Sequence, residues 1–273
     1  MSTPPTRSDE THDRDGDLSI DPEWTTRILT EFISNELHRT GFRRLVIGLS
    51  GGIDSALAAM LAARALGPEA VLGIRLPYRS SSPESLTDAQ ALAETAGIRM
   101  ETVDISSMVD SAAQSVGEIT PLRLGNVMAR MRMIVLFDRS ASEEALVLGS
   151  SNKSELLLGY GTLHGDVASA INPLGDLYKT QVRVLARHVG VPEPILRKPP
   201  SADLWPDQSD EDELGVTYEE ADRLLALLVD ARVEREAVIA RGFSPESVEH
   251  VWNLVVRSQF KRRPTVIAPV SGR

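Results

Sequence analysis

The 273-residue chain predicts an α/β protein, a doubly wound parallel sheet flanked by helices, with helical additions at both ends. Two observations carry that expectation. As far as Ser150, strand-like apolar runs alternate with segments of helical period, the pattern of parallel strands joined by helical crossovers. The first of these runs opens straight into a glycine turn and a helix, "RRLVIGLSGGIDSALAAMLAARALG", the arrangement in which backbone N–H groups receive a phosphate.

The elements follow in order. Residues 1–18 are polar and acidic with almost no large apolar group, so they read as a disordered tail, and 19–273 as one domain. From Asp21, Trp24, Ile28 and Phe32, with Ile33 and Leu37, recur at helical spacing behind an Asp-Pro start, giving an amphipathic helix that ends near Gly41. Strands are expected at "RLVIGLS", "AVLGIRLP", "RMETVDI" and "ALVLGS", separated by helices such as "SPESLTDAQALAETAG" and "GNVMARMRMIVLFDRS". Beyond Ser150 the alternation stops. A passage rich in Gly, Asn and Asp leads into the helix "LYKTQVRVLARHVG", which a Gly and a Pro terminate. The aperiodic stretch "KPPSADLWPDQSDEDELG" reads as a lid, because Leu204 and Trp205 give it something to bury. Two helices and the basic end "QFKRRP" follow.

Composition excludes several functions. A net charge of -10 argues against a broad nucleic-acid footprint, which needs a basic face. No apolar run approaches a membrane span, and the N-terminus lacks the regions of a signal peptide, so no membrane association and a cytoplasmic location are expected. Cysteine is absent, which removes thiolate metal sites and thiol nucleophiles.

Ligands of an open α/β sheet gather beyond the carboxyl ends of its strands, where "SGGIDS" lies. The loop fits neither G-x-G-x-x-G nor G-x-x-x-x-G-K-[ST]. In place of the lysine it carries Asp54. One reading makes Asp54 or Ser55 a helix cap. In the other, a divalent cation bridges Asp54 to a polyphosphate that would otherwise repel it. Glu155 has two readings as well: partner of Asn152 in a capping box, or second carboxylate on the rim. Asp166 fits a plain Gly-Asp turn. Lys179 occupies the first turn of its helix, where the dipole disfavours a cation; it is a surface lysine or the phosphate-binding lysine that the loop lacks. Arg130 and Arg132 read most simply as surface residues, and the five histidines form no metal-ligand pattern.

These residues support a resemblance. "SGGIDS" resembles the pyrophosphate loop of the N-type ATP pyrophosphatases. "GNVMARMRM", "NKSELLLGYGTLHGD", "INPLGDLYKTQV", "KPPSADLW", "QSDEDELG" and "QFKRRP" resemble, in this order, the blocks of the NAD synthetase family, from about residue 20 to Pro264. The resemblance implies an adenine nucleotide alpha hydrolase-like fold. It also implies ATP-dependent amidation of deamido-NAD by ammonia through an acyl-adenylate, giving NAD, AMP and pyrophosphate. Carried over by position, Gly48, Leu49, Ser50, Gly51, Gly52, Ile53, Asp54, Ser55, Ser150, Lys179 and Ser201 would contact ATP. Asp54 and Glu155 would ligate Mg²⁺, and Arg130 and Lys261 would bind deamido-NAD. Asp54, Lys179 and Asp166 would carry catalytic roles. A homodimer that uses the helix from Asp21 and the helix around Arg130 is implied too.

Overall fold

The computed structural model describes residues 17–205, 208–268 and 270. Residues 1–16 of the expected tail lie outside that range. Leu18 is already tied down: its carbonyl accepts from Gln181 Nε2 at 3.2 Å and its side chain packs on the C-terminal helices.

The expected strands form where their apolar runs lie: β1 (Arg44–Gly48), β2 (Val71–Arg75), β3 (Arg99–Thr102) and β4 (Ala145–Val147). They make one parallel sheet in the order β3-β2-β1-β4. Alternate side chains of β1 enter opposite layers, because strand side chains alternate in direction. Leu45 and Ile47 join the cluster built by α1 (Pro22–Thr40), α2 (Ile53–Leu66), α3 (Pro83–Ala96), α7 (Lys179–Val189) and α8 (Glu193–Arg197). Val46 faces the other way, onto α4 (Ser106–Val116) and α5 (Pro121–Ser142). Helices therefore cover both faces of the sheet, as double winding requires.

The ends of α1 follow from its sequence. Asp21 caps it by accepting from Trp24 N at 3.0 Å, and Gly41 closes it at φ 79°. Its apolar residues do not form the single face that the sequence suggests. Ile33 and Leu37 are buried on α2 and α7, whereas Trp24, Ile28 and Phe32 lie 37–56 % exposed on another face.

Beyond β4 only an isolated parallel bridge, Leu148 to Ile171, extends the sheet among the described residues. The rest is helical. The short α6 (Lys153–Leu158) and α9 (Asp210–Leu214), with α10 (Tyr218–Leu225), α11 (Arg235–Ala240) and α12 (Pro245–Arg257), enclose a second apolar cluster around Tyr218, Leu224 and Val251. Arg262 fastens this layer by donating to the carbonyls of Leu156, Leu157 and Val255.

Among the described residues of the aperiodic stretch, Ala202, Asp203 and Leu204 line the crevice at the sheet's carboxyl edge. Leu204 packs on α5 at Gly125, where an added Cβ would come within 2.9 Å of the leucine methyl. Asp203 accepts from Ser82 N at 3.2 Å, and Lys198 pairs with Asp88 at 3.1 Å.

Candidate active site

The order in which the chain lays down its strands reverses beside β1, which has β2 on one side and β4 on the other. Loops at such a switch point splay apart and leave a crevice. The crevice here holds a cavity of about 250 Å³ whose walls include Ser50, Asp54, Ser150, Glu155 and Asp166.

The glycine loop is shaped by close approach. Gly51 adopts φ 76°, a left-handed conformation, and a Cβ there would meet the Ser85 backbone carbonyl. Serine hydroxyls brace the turn: Ser55 Oγ receives Ser50 N at 3.3 Å, and Ser50 Oγ receives Gly52 N at 3.2 Å. The cap of α2 is Gly52 and has no side-chain cap bond. Neither Asp54 nor Ser55 caps the helix, so that reading fails. The left-handed Gly51 turns the chain so that α2 starts at Ile53, and Asp54 is already inside its first turn. Gly51→Ala is expected to weaken ATP binding by roughly tenfold or more, since both the backbone and the Ser85 carbonyl must shift. Equilibrium titration with ATP measures this, and an unchanged affinity would show that the loop tolerates the shift.

Asp54 and Glu155 converge on one lysine. Lys179 Nζ lies 2.6 Å from Asp54 Oδ2 and 3.0 Å from Glu155 Oε1, and Lys179 is only 3 % exposed. Asn152 holds both carboxylates from the other side. Its Nδ2 donates to Asp54 Oδ1 at 2.9 Å, and its backbone N–H donates to Glu155 Oε2 at 3.3 Å, while Asn152 Oδ1 accepts from Glu155 N. The capping box is real, and it also presents Glu155 to the rim. Burial pushes the Glu155 carboxyl up to about 8, with Lys179 pulling it down and Asp54 adding to the push. Burial works against the Lys179 ammonium, but Asp54 and Glu155 outweigh it and hold its pKa above the ordinary value. Tyr218 places its ring 5.2 Å from that ammonium.

Behind this group stands Asp222, fully buried on α10. Its carboxylate receives Ser154 Oγ–H, Thr180 N–H at 2.9 Å and Thr180 Oγ1–H at 2.8 Å. Ser154 Oγ in turn receives Lys179 N–H at 2.9 Å. An anion at the start of α7 offsets the unfavourable place of Lys179 in that first turn. Asp210 closes the cavity near Lys179, and Tyr160 Oη lies 2.8 Å from both Asp210 and Glu213. Burial raises the Asp210 pKa, with Lys179 opposing.

On the opposite wall Asp166 Oδ1 accepts from Thr162 N at 2.6 Å, and enclosure by protein raises its pKa against that bond and the nearby Arg132 and Lys261. Arg132 was not expected here. Its Nε donates to the Leu76 carbonyl at 3.1 Å, it lines the cavity beside Ala129, Met133 and Leu136, and its Nη groups make no hydrogen bond among the described residues. Those positions recur at helical spacing, so a single arginine inside an apolar stripe was the sequence signal. Burial lowers the Arg132 pKa, and Asp203 and Asp166 counter it.

The remaining expected residues are not brought into the cavity. Arg130 is exposed on the outer face of α5 and donates to the Leu163 carbonyl at 3.2 Å. Lys261 Nζ donates to the carbonyls of Gly159 and Gly161, both at 2.8 Å, pinning the chain that leads to Asp166. Ser201 is exposed next to the cavity wall, its Oγ accepting from Asp203 N at 3.1 Å. No set of three or more His, Cys, Asp and Glu side chains is arranged for a metal among the described residues. No described helix is long and apolar enough to cross a membrane.

Comparison with known proteins gives a consistent set. The model of the family described as NAD synthase matches residues 25–265. A protein of Chlorobium phaeobacteroides named NH(3)-dependent NAD(+) synthetase is 52% identical over 257 residues, covering 94% of this chain and 93% of that protein. One of the same name from Trichlorobacter lovleyi is 53% identical, covering 94% of each. Among solved structures, the NH3-dependent NAD synthetase of Campylobacter jejuni superposes with a TM-score of 0.78 at 32% identity, covering 91% of this chain and 100% of its own. The NMN synthetase of Francisella tularensis gives 0.83 at 32% identity, covering 92% and 100%.

Proposed function

This chain belongs to the NAD synthase family, and from that premise we propose how its site works. It is a ligase that forms NAD from deamido-NAD, ammonia and ATP, the last step of NAD biosynthesis. The observation that carries our account is the Asp54–Lys179–Glu155 group at the mouth of the glycine loop.

The nicotinate carboxylate is a poor acyl donor, because its leaving group would be oxide. Attack of that carboxylate on the α-phosphate of ATP gives an acyl adenylate whose leaving group is AMP, and pyrophosphate departs. Ammonia then attacks the activated carbonyl. No protein nucleophile is needed, in keeping with a chain that has no cysteine. The N–H groups of Gly51, Ile53 and Asp54, which the serine hydroxyls of the turn leave unengaged, receive the departing pyrophosphate at the start of α2, and Lys179 supplies a cation beside them. Arg132 offers its free Nη groups to charge developing inside the cavity. Ser150 and Ser201 add contacts to ATP, and Asp166 assists from the facing wall.

Two convergent carboxylates without a third protein ligand suit Mg²⁺, which is commonly held by one or two carboxylates together with substrate phosphates. Asp54 and Glu155 would hold it, and when bound it neutralises phosphate charge that the carboxylates would otherwise repel.

The cavity, at about 250 Å³, falls below the roughly 300–1,000 Å³ of sites that enclose a drug-sized ligand. ATP and a dinucleotide cannot both fit inside it. Deamido-NAD therefore extends outward toward Arg130 and Lys261, onto a surface that a second subunit completes. The exposed apolar residues Trp24, Ile28 and Phe32 on α1, with Ile134 and Phe137 beside Arg130 on α5, are the faces that such a homodimer would cover. Phe32→Glu is expected to shift the sedimentation coefficient toward that of a monomer; an unchanged coefficient would remove α1 from the interface. An ATP-consuming synthesis of this kind belongs in the cytoplasm, where ATP is plentiful.

The test is an assay with Mg²⁺, ATP and deamido-NAD. Ammonium, and not ammonia-free glutamine, is expected to support NAD formation, since glutaminase action commonly relies on a thiol. Comparable turnover with glutamine would sink that expectation. Preference for the carboxylate form of NMN over deamido-NAD would overturn the choice of dinucleotide.

A further inference from the structure

Each carboxylate of the pair divides its two oxygens in the same way. Asp54 gives Oδ1 to Asn152 Nδ2 and Oδ2 to Lys179; Glu155 gives Oε2 to Asn152 N and Oε1 to Lys179. All four oxygens are engaged within the chain itself. The space between the pair, where Asp54 and Glu155 would hold a metal, already holds the Lys179 ammonium.

We propose that Lys179 is a resident counter-ion that occupies the metal's place between Asp54 and Glu155, so that a divalent cation enters only together with the nucleotide. This inference rests on the reading of Asp54 and Glu155 as metal ligands.

The reasoning is electrostatic. Mg²⁺ binds carboxylate oxygens at about 2.0–2.1 Å, and Lys179 Nζ already stands 2.6 and 3.0 Å from the two oxygens that face the gap. Both cations cannot share that gap, so one must leave. Lys179 is buried, and an ammonium that leaves its carboxylates without a new anionic partner bears the cost of an unpaired buried charge. The Tyr218 ring at 5.2 Å gives it some shelter, but that ring is uncharged. Asp210 is tied to Tyr160 and Tyr218. A free metal ion brings no anion to receive the lysine. A metal-bound triphosphate does, and it lies where the loop's N–H groups converge. Lys179 would then exchange its carboxylates for phosphate as Asp54 and Glu155 take up the metal that arrives with it, so that neither the ammonium nor the carboxylates would be left unpaired.

The consequence is measurable without turnover. Mn²⁺ serves as the probe, followed by electron paramagnetic resonance on the full chain. Wild type is expected to bind free Mn²⁺ weakly and the Mn²⁺ complex of a non-hydrolysable ATP analogue well. Lys179→Met, and Lys179→Gln as a variant that keeps N–H donors toward the carboxylates, should bind free Mn²⁺ roughly tenfold or more tightly than wild type, because the competitor is gone. Adding Glu155→Gln should erase that gain. Tight nucleotide-free binding by wild type that Glu155→Gln abolishes would overturn the proposal, and this arm stands even if neither Lys179 variant folds. An unchanged free Mn²⁺ affinity in both folded variants would overturn it too. Failure of the underlying reading looks different: Mn²⁺ held with the analogue would then be indifferent to Asp54→Asn and to Glu155→Gln.

Discussion

Asp54→Asn is expected to lower NAD formation by about 10²–10³-fold or more, the scale on which a site loses a group that meets transition-state charge, while the chain still folds. Two consequences of the geometry separate these effects. The substitution removes one of the two carboxylates that would hold Mg²⁺, so the cation that would neutralise phosphate charge at the loop is held less well. Lys179 keeps Glu155 at 3.0 Å, so its ammonium is not stranded, and an asparagine oxygen can still accept from Asn152 Nδ2. Losing one charged hydrogen bond in a partly buried site costs about 1–3 kcal/mol, which for a chain of this size is a fall of roughly 2–4 °C in melting temperature per kcal/mol. The cap of α2 is untouched, because Gly52 and not Asp54 forms it. Initial rates at saturating Mg²⁺, paired with thermal melts, check both halves. Near-normal turnover would show that Asp54 serves only as a partner for Lys179.

How far the site could be read from sequence depended on the range of its interactions. The strands were legible because each is a short apolar run between helical periods, and α1 was bounded by Asp21 and Gly41 through purely local bonds. The Asn152–Glu155 box was legible for the same reason, and its two readings proved compatible: one carboxylate oxygen serves the cap and the other faces Lys179. The odd placing of Lys179 in a first turn was visible as well. Its partners were not, since Asp54 lies 125 residues away. Asp210 and Asp222 sit in helical runs that look solvated until the second apolar cluster draws them inward. The two faces of α1 were merged into one because helical spacing alone cannot tell an inward stripe from an outward one on the other side of the same helix. The cap assigned to Asp54 or Ser55 failed because it assumed that the helix begins later than the left-handed Gly51 allows.

Asp222 supplies the second large effect, through position and not contact. It touches no cavity wall, yet its carboxylate joins α6 and α7, the helices that carry Glu155 and Lys179, to α10. Asp222→Ala strands the buried Ser154 hydroxyl and the two partly buried Thr180 donors, and each unsatisfied group costs about 1–3 kcal/mol. With three donors left without a partner, a loss of roughly 3 kcal/mol or more is therefore expected. Asp222→Asn keeps the shape and one acceptor oxygen but turns an amide N–H₂ toward existing donors, so it should lie between wild type and Ala. Stability alone would make Asp222 an ordinary structural residue. The positional role predicts more: below the melting range, where all variants are folded, kcat should still fall by about 10²-fold, the penalty for moving a reacting group by about 1 Å. The start of α7 is held through Ser154 Oγ to Lys179 N, so release of Asp222 lets the lysine drift from Asp54 and Glu155. The KM for ammonium should change little, because neither Asp222 nor its partners Ser154 and Thr180 line the cavity. Melting temperature, kcat and the two KM values for ATP and ammonium, measured on Ala and Asn variants at one low temperature, decide the matter. Normal kcat in the folded Asp222→Ala variant would reduce Asp222 to a packing contact and leave Lys179 positioned by its carboxylate partners alone.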